Sequence, residues 1–351
     1  DWLERSGAAA SDGLRLLAMA MKHTDRDDAA PYEKLTLAGM ACLRDPLRSD
    51  VASAIAAARA AGVRVVMMTG DHADTAAAIA SQAGLGARGG ELVVIAGDEL
   101  GDLDPETADR PLRDRILAAD VFARVAPETK LDLAALYQNS GHVVAMTGDG
   151  VNDAPALKKA DIGIAMGLRG TEVAREAADM VLMDDSFGTI IAAMRQGRVI
   201  FDNIRKFVIY LLSCNVSEVL IVGLAVGVGL PVPLLPLQIL FLNLVTDVFP
   251  AFALGFGAGN DAVMRQPPRD PAEPIIDRSR WVTIGVLGGA ITLATLVAFW
   301  LALHGLMLDV APAVTVAFLT LALAQLWNVF NMRAPGGPVF LNEVTRNPWI
   351  W

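Results

Sequence analysis

Four apolar stretches in the second half of the sequence are long enough to cross a lipid bilayer. They run from Phe207 to Leu230, from Leu234 to Phe256, from Trp281 to Leu306 and from Val310 to about Asn331. A helix that spans the hydrocarbon core needs about 20 mostly apolar residues. The chain is also 54% hydrophobic, which is high for a soluble protein. We therefore predict a transmembrane helical bundle in residues 199–351, with a stalk helix continuous with the first span.

The first half alternates short β-rich runs with Ala-rich helical stretches. The predicted strands are Leu35 to Leu43, Val63 to Met68, Val121 to Val125, Val143 to Met146 and Ile162 to Met166. This alternation is typical of a Rossmann-type parallel sheet with helices on both faces. Open sheets of this kind place their ligands at the carboxyl ends of the strands. We predict that residues 35–198 form this α/β domain and that residues 1–34 are the tail of another domain.

Charge and cysteine content narrow the function classes. The formal net charge of −10 argues against nucleic-acid binding. The two cysteines, Cys42 and Cys214, suggest neither a disulfide framework nor a zinc site. Basic residues flank the spans on the side of the α/β domain, so the positive-inside rule places this domain in the cytoplasm. We predict an integral membrane protein in contact with lipid, and the Ala- and Arg-rich composition favours a bacterial cell membrane.

The run Met146 to Lys158 follows a predicted strand and contains two carboxylates four residues apart, Asp149 and Asp153. Carboxylates on such a turn can hold Mg²⁺, and its glycines let the backbone approach a phosphoryl group. The run resembles the hinge motif of P-type ATPases, which are haloacid-dehalogenase-like phosphotransferases. That resemblance implies a haloacid-dehalogenase-like fold that uses ATP and Mg²⁺. It also implies that Asp149 and Asp153 bind the metal and that Asn152 supports them.

Two shorter runs resemble further motifs of the same family. Thr69, Gly70 and Asp71 form a Thr-Gly-Asp turn after a predicted strand, and Lys130 follows Ala-Pro-Glu-Thr. Alone, these would be an ordinary turn and a surface lysine. The resemblance implies that the first run holds the transferred phosphoryl group and that Lys130 offsets its negative charge. It also implies nucleotide or phosphate contacts for three arginines: Arg15, Arg48 and Arg124.

The nucleophile of this family is the aspartate of an Asp-Lys-Thr-Gly-Thr run, and the sequence contains no such run. The resemblance therefore places that aspartate upstream, in a missing N-terminal part of the same pump. We expect this chain to be unable to turn over by itself.

Polar residues in the first two spans are placed on single helix faces. Asn215 and Glu218 are three residues apart, and Asn243, Thr246 and Asp247 follow the spacing i, i+3, i+4. A carboxylate in hydrocarbon is costly unless it is paired or ligated. Two carboxylates on neighbouring spans therefore predict a shared cation. Their oxygen-donor neighbours favour Ca²⁺ over Zn²⁺ or Cu⁺.

Both runs resemble the ion-binding spans of sarcoplasmic-reticulum-type calcium pumps. This implies ATP-driven Ca²⁺ transport through an aspartyl-phosphate intermediate. One departure is Gln325, which stands where that type has Glu. The resemblance then implies one weakened ion site and a changed stoichiometry or selectivity, and the alternative is that Gln325 makes a neutral interhelical hydrogen bond. The alternatives are a pump for Mn²⁺, Na⁺/K⁺ or H⁺, a membrane-anchored Mg²⁺-dependent phosphohydrolase without transport, and a non-catalytic regulatory fragment.

Overall fold

The computed structural model describes residues 2–11, 14–24, 30, 32–43, 46–86, 92–101, 103–334, 338 and 340–351, with the side chains of Leu3, Ala10, Ser11 and Arg15 outside that description. The chain divides into two units, Asp1–Ala193 and Met194–Trp351. The division between the units falls inside one long helix. The three-part division predicted from the sequence stays a prediction.

The first unit is built from short strands and helices that alternate along the chain. Its elements are α1 (Trp2–Ser11), β1 (Arg15–Met21), β2 (Thr36–Leu43), α2 (Val51–Ala60), β3 (Met67–Met68), α3 (Ala73–Gln82), β4 (Val94–Ala96), α4 (Arg110–Ala118), β5 (Val121–Ala123), α5 (Pro127–Asn139), β6 (Ala145–Gly148), α6 (Ala154–Lys159), β7 (Ile162–Met166), α7 (Glu172–Ala177) and β8 (Met180–Leu182).

Among the described strands, six form two parallel sheets of three strands each. One sheet has the order β3-β5-β4 and the other β6-β7-β8. All three residues of β5 are fully buried, because one apolar cluster covers one face of its sheet and a second cluster covers the other. Leu133 of α5 belongs to the first cluster and Ile55 of α2 to the second. Helices therefore lie on both faces of this parallel sheet, as predicted.

The run Leu35 to Leu43, predicted as a strand of the parallel sheet, pairs elsewhere. It forms β2, which runs antiparallel to β1, with Leu43 opposite Arg15 and Thr36 opposite Met21. A register irregularity lies between Met19 and Ala20. Strand propensity predicts an extended conformation but not its partner, and a sequence neighbour is available here at a low loop-closure cost.

The second unit contains the apolar helices. They are α8 (Phe187–Gly227), which begins in the first unit, α9 (Pro236–Phe241), α10 (Val248–Gly255), α11 (Arg278–Trp300) and α12 (Val310–Asn328). A π-helical turn, Leu242–Thr246, joins α9 to α10, and a second one, Leu301–Gly305, extends α11. Within the described residues, four helical segments are long and apolar enough to cross a membrane: Phe187–Gly227, Pro236–Gly255, Arg278–Gly305 and Val310–Met332. They contain most of each predicted span.

A proline, Pro250, follows the π turn of the second span by one helical turn. Pro250 has no backbone N–H, so it cannot donate to the carbonyl of Thr246, four residues earlier. The hydroxyl of the fully buried Tyr210 in α8 donates to that carbonyl instead, at 3.4 Å. Asp247 N–H donates to the Leu242 carbonyl at 3.0 Å, five residues back, which is the π pattern. The helix is thus loosened where the sequence predicts cation ligands.

Candidate functional site

Loops at the carboxyl ends of β3 and β5 carry part of a predicted phosphate centre, which we define as Thr69, Gly70, Asp71, Lys130, Asp149, Asn152 and Asp153. The Thr69 carbonyl accepts a 3.1 Å hydrogen bond from Val125 N–H, and the Asp71 carbonyl accepts one of 3.0 Å from Arg124 N–H. Asp71 N–H also donates to the Thr69 hydroxyl at 3.1 Å. Backbone hydrogen bonds therefore join the Thr-Gly-Asp turn to the loop that leads into α5.

Lys130 connects that loop to the turn after β6. It lies at the end of the first turn of α5, and its Nζ donates to Oδ1 of Asp153 at 2.6 Å. The two side chains are only 17% and 12% exposed, so solvent screens this charge-assisted bond weakly. The other Asp153 oxygen accepts Gly150 N–H at 3.3 Å. Lys130 and the turn backbone together fix the direction of this carboxylate.

Gly148, the last residue of β6, permits a close approach that another residue would block. A Cβ at this position would lie 2.5 Å from the Asp153 Cβ. Asp149 and Asn152 are exposed on the same turn. A cradle with two carboxylates suits Mg²⁺, which prefers oxygen ligands. Within the described residues no three His, Cys, Asp or Glu side chains gather as a metal site, so Mg²⁺ here would need further oxygens from water, a phosphoryl group or another segment.

The three predicted nucleotide-contacting arginines lie in different places. Arg124 adjoins the phosphate centre through its bond to Asp71 and has a left-handed backbone conformation, with φ of 51°. The Arg48 guanidinium donates to the carbonyl of Asp185, in the turn before α8. Arg15 lies in β1, and its side chain falls outside the described part of the chain. The structure thus brings Arg124 to the centre and places Arg48 at another turn.

Glu218 is the centre of the predicted cation cluster, which we define as Glu218, Asn243, Thr246, Asp247 and Gln325. It is 5% exposed. Its Oε2 accepts from the Asn243 amide at 2.9 Å, and its Oε1 accepts from the Gln325 amide at 3.0 Å. Buried charge is costly without such partners. Side chains from α8, the π turn and α12 therefore converge on one carboxylate.

Asp247 is the least satisfied member of this cluster. It is 1% exposed, and no nitrogen or oxygen donor among the described residues pairs with either of its carboxylate oxygens. The Cys214 thiol lies beside it. The Oε1 atom of Gln325 is also buried and unpaired within the described chain. Leaving a buried polar group unpaired costs about 1–3 kcal/mol. These oxygens are therefore suited to bind a metal cation.

Two other predicted cation ligands differ in position. Thr246 is 9% exposed, and its hydroxyl donates to the Leu242 carbonyl at 2.9 Å. Asn215 is exposed, and its amide donates to the Leu211 carbonyl at 2.8 Å, within its own helix. The structure therefore places Thr246 at the π turn next to Asp247 but does not bring Asn215 into the cluster with Glu218.

The sequence did not assign several buried polar residues near the cluster to the cation site. Asn328 donates to the Ser213 hydroxyl at 2.8 Å, and both are buried. Tyr210 and Cys214 are fully buried on α8. Their spacing from Glu218, at i−8 and i−4, places all three on one helix face. That periodicity was the signal that could have identified them.

Two family models match the chain in sequence order. The haloacid dehalogenase-like hydrolase model matches residues 2–161. The model of the cation transporting ATPase C-terminus matches residues 231–351.

Curated relatives match nearly the whole chain. A calcium-transporting ATPase of Bacillus subtilis is 44% identical over 344 residues, which is 97% of this chain and 37% of the relative. The chain belongs to the P-type cation-transporting ATPases. A probable cation-transporting ATPase F of Mycobacterium bovis is 46% identical over 281 residues, or 76% of this chain and 30% of the relative. Calcium-transporting ATPase 1 of Bacillus cereus is 38% identical over 365 aligned residues, or 99% of this chain and 40% of the relative.

Membership of the P-type ATPases confirms the family and the fold class predicted from the motifs. The fold consists of a haloacid-dehalogenase-like domain with parallel sheets, followed, in the part of the chain that the structure describes, by four helices that could cross a membrane. The chain is that of an integral membrane protein. It spans less than half of the length of these curated relatives. The individual roles of the phosphate-centre and cation-cluster residues stay predictions.

Proposed function

We propose that this chain is the C-terminal part of an ATP-driven cation pump and that Ca²⁺ is the transported ion. The observation that carries this proposal is the buried carboxylate of Asp247, which has no nitrogen or oxygen donor among the described residues and lies near the buried Glu218. An ionised carboxylate at the centre of a membrane helix costs about 2.5–3.5 kcal/mol even by insertion scales. A bound cation would offset that cost for both groups.

The donor set supports a hard divalent ion. Carboxylates, amides and a hydroxyl supply the oxygen atoms that Ca²⁺ prefers. Asn243 and Gln325 now turn their NH₂ groups to Glu218, so each amide would rotate to present its carbonyl oxygen to an ion. Glu218 and Asp247 together carry two negative charges, which balance one Ca²⁺. We therefore propose a single full-strength site in this part of the bundle, with the neutral Gln325 reducing the charge available to a second ion.

The phosphate centre would bind Mg²⁺ through Asp149 and Asp153 and orient a phosphoryl group. When bound, Mg²⁺ would neutralise charge on that group. Lys130 holds Asp153 at 2.6 Å and supplies a second positive charge. The Thr69 hydroxyl and the N–H groups of its turn are suited to the phosphoryl oxygens. Asn152, exposed on the same turn as Asp149, would support the metal's ligands.

The arrangement of the sheets supports a phosphorylated aspartate on a preceding segment of the same pump. Among the described strands, β3 and β6 each lie at the edge of their own sheet. Their carboxyl ends carry Thr69 and Asp149, which belong to one centre. Met68 of β3 packs against the cluster that contains Met146 of β6. A parallel strand inserted between these edges would join the two sheets and bring its own terminal residue to the centre. We propose that this strand ends in the nucleophilic aspartate.

The proposed orientation has the haloacid-dehalogenase-like domain in the cytoplasm of a bacterial cell. Arg205 and Lys206 precede the first predicted span, and the connection between the second and third spans, which lies on the same side, carries four arginines: Arg265, Arg269, Arg278 and Arg280. Cytoplasmic connections are enriched in such residues.

Ion uptake by the complete protein in sealed vesicles tests this proposal. We expect ATP-driven ⁴⁵Ca uptake that is lost when Glu218→Gln and Asp247→Asn are combined. Asp309→Asn is the matched control, because Asp309 is exposed and makes no capping hydrogen bond at the start of α12. Uptake that survives the double neutralisation would refute the proposed site. Movement of Mn²⁺ or Na⁺ but not Ca²⁺ would refute the choice of ion. Phosphatase activity that is indifferent to both substitutions would favour a membrane-anchored phosphohydrolase.

A further inference from the structure

One face of α8 carries three buried side chains at successive helical turns: Tyr210, Cys214 and Glu218. Both outer members contact the second span. The Tyr210 hydroxyl donates to the Thr246 carbonyl at 3.4 Å, and Glu218 accepts from Asn243 at 2.9 Å. Residues at i and i+4 share a helix face. Cys214 must therefore face the stretch of the second span between these contacts.

That stretch contains Asp247, whose carboxylate has no nitrogen or oxygen donor in the described residues. The Cys214 thiol is fully buried and lies beside it. A sulfur atom thus meets two buried carboxylate oxygens that have no nitrogen or oxygen donor within the described part of the chain. The oxygen atoms of the cation cluster favour hard ions, whereas sulfur is a soft ligand that selects thiophilic metals. Serine at position 214 would have made the donor set uniformly hard.

We propose that Cys214 and Asp247 form a binding site for thiophilic divalent cations of the Cd²⁺ and Zn²⁺ class. The metal is held by the thiolate sulfur and a carboxylate oxygen, and the thiol proton leaves to solvent on binding. Because Asp247 also belongs to the proposed Ca²⁺ site, a bound thiophilic ion excludes Ca²⁺ from it. This competition rests on the proposed function, whereas metal binding by Cys214 and Asp247 does not.

Cadmium binding to the detergent-purified complete protein tests the site directly. The formation of a Cd²⁺–thiolate bond produces an ultraviolet charge-transfer absorption, which is titrated in the absence of ATP. We expect this absorption in the wild type, its loss in Cys214→Ser, and an affinity at least about tenfold weaker in Asp247→Asn. The matched control is Cys42→Ser, because Cys42 is the other cysteine of this chain and is exposed. An unchanged absorption in Cys214→Ser, or its loss in Cys42→Ser, would overturn the proposal.

A second measurement separates this inference from the proposed function. In vesicles, Cd²⁺ should inhibit Ca²⁺ uptake by the wild type competitively, and Cys214→Ser should raise the inhibitory Cd²⁺ concentration at least about tenfold while retaining uptake. Cys214→Ala controls for the hydroxyl that Cys214→Ser introduces, and it should raise the inhibitory Cd²⁺ concentration by a similar factor. Equal inhibition of wild type and both variants would overturn the inference and leave Ca²⁺ transport intact. Thiolate absorption that depends on Cys214, in a protein that moves no Ca²⁺, would instead refute only the proposed function.

Discussion

Replacing Tyr210 by Phe should destabilise the membrane bundle by an amount that depends on Pro250. Pro250 leaves the Thr246 carbonyl without its helical donor, and the Tyr210 hydroxyl donates to it at 3.4 Å. Tyr210 is fully buried, so water cannot replace the lost hydroxyl. Leaving a buried acceptor without its donor costs about 1–3 kcal/mol. Because this hydrogen bond is long, we expect a loss in the lower part of that range, about 1–2 kcal/mol in the free energy of unfolding.

Pro250→Ala supplies the missing N–H and should rescue the carbonyl. In that background, Tyr210→Phe should cost about 0.5 kcal/mol or less, which gives a coupling energy of about 1 kcal/mol between the two positions. The assay is unfolding of the purified protein in mixed micelles, followed by tryptophan fluorescence. Five of the six tryptophans of the chain lie after Met194. An equal cost of Tyr210→Phe in both backgrounds would refute the assignment of the hydroxyl to this carbonyl.

Two further substitutions test the phosphate centre and the segment after α12. Gly148→Ala should reduce Mg²⁺-dependent phosphorylation from ATP at least about tenfold, because its Cβ would displace Asp153. Gly197→Ala, which meets no atom within 4 Å, should leave phosphorylation unchanged, and equal activity of the two variants would contradict this reasoning. Glu343→Gln should weaken the contact to Lys206, which is 3.1 Å long and largely buried, and lower the unfolding free energy by about 1–2 kcal/mol. Burial alone would raise the pKa of Glu343, but hydrogen bonds from its own backbone and Ala334, together with Lys206, lower it below the ordinary value of 4.5. The stabilisation that ionised Glu343 provides is therefore complete above pH 4.5 and is lost as the pH falls through its lowered pKa. If the unfolding free energies of the wild type and Glu343→Gln had the same dependence on acid pH, the role of this contact would be contradicted.

The transmembrane helices could be predicted because apolar length is a property of the sequence itself. The second predicted span, Leu234 to Phe256, lies within two residues of the observed segment at its start and one at its end, Pro236–Gly255. The continuity of the stalk with the first span, which together form α8, was also predictable, since no proline interrupts the chain between Phe187 and Gly227. The π turn was not, because the hydroxyl that satisfies its Thr246 carbonyl comes from Tyr210 on another helix.

The pairing of strands and the side of each helix that is buried could not be predicted from the sequence. The sequence predicted that Leu35 to Leu43 is extended, but the choice between a parallel neighbour and β1 depends on chain closure. Asn215 and Glu218 are close on a helical wheel, yet one is exposed and the other is buried. Their separation of about 60° around the axis is enough to divide them at the boundary of a packed face.

The π turn also fixes the rotational setting of everything that follows it in the second span. A π bulge accommodates one residue more than the α-helix would, and one residue corresponds to about 100° of rotation around the axis. Deleting a single residue from Leu242–Thr246 would let the span wind as an uninterrupted α-helix and would swing Val248–Gly255 by that angle relative to Pro236–Phe241. The span would remain as apolar as before while its acidic side chain turned away from α8. The direction in which the carboxylate faces is therefore set by a local winding defect and not by the hydrophobicity that inserts the helix.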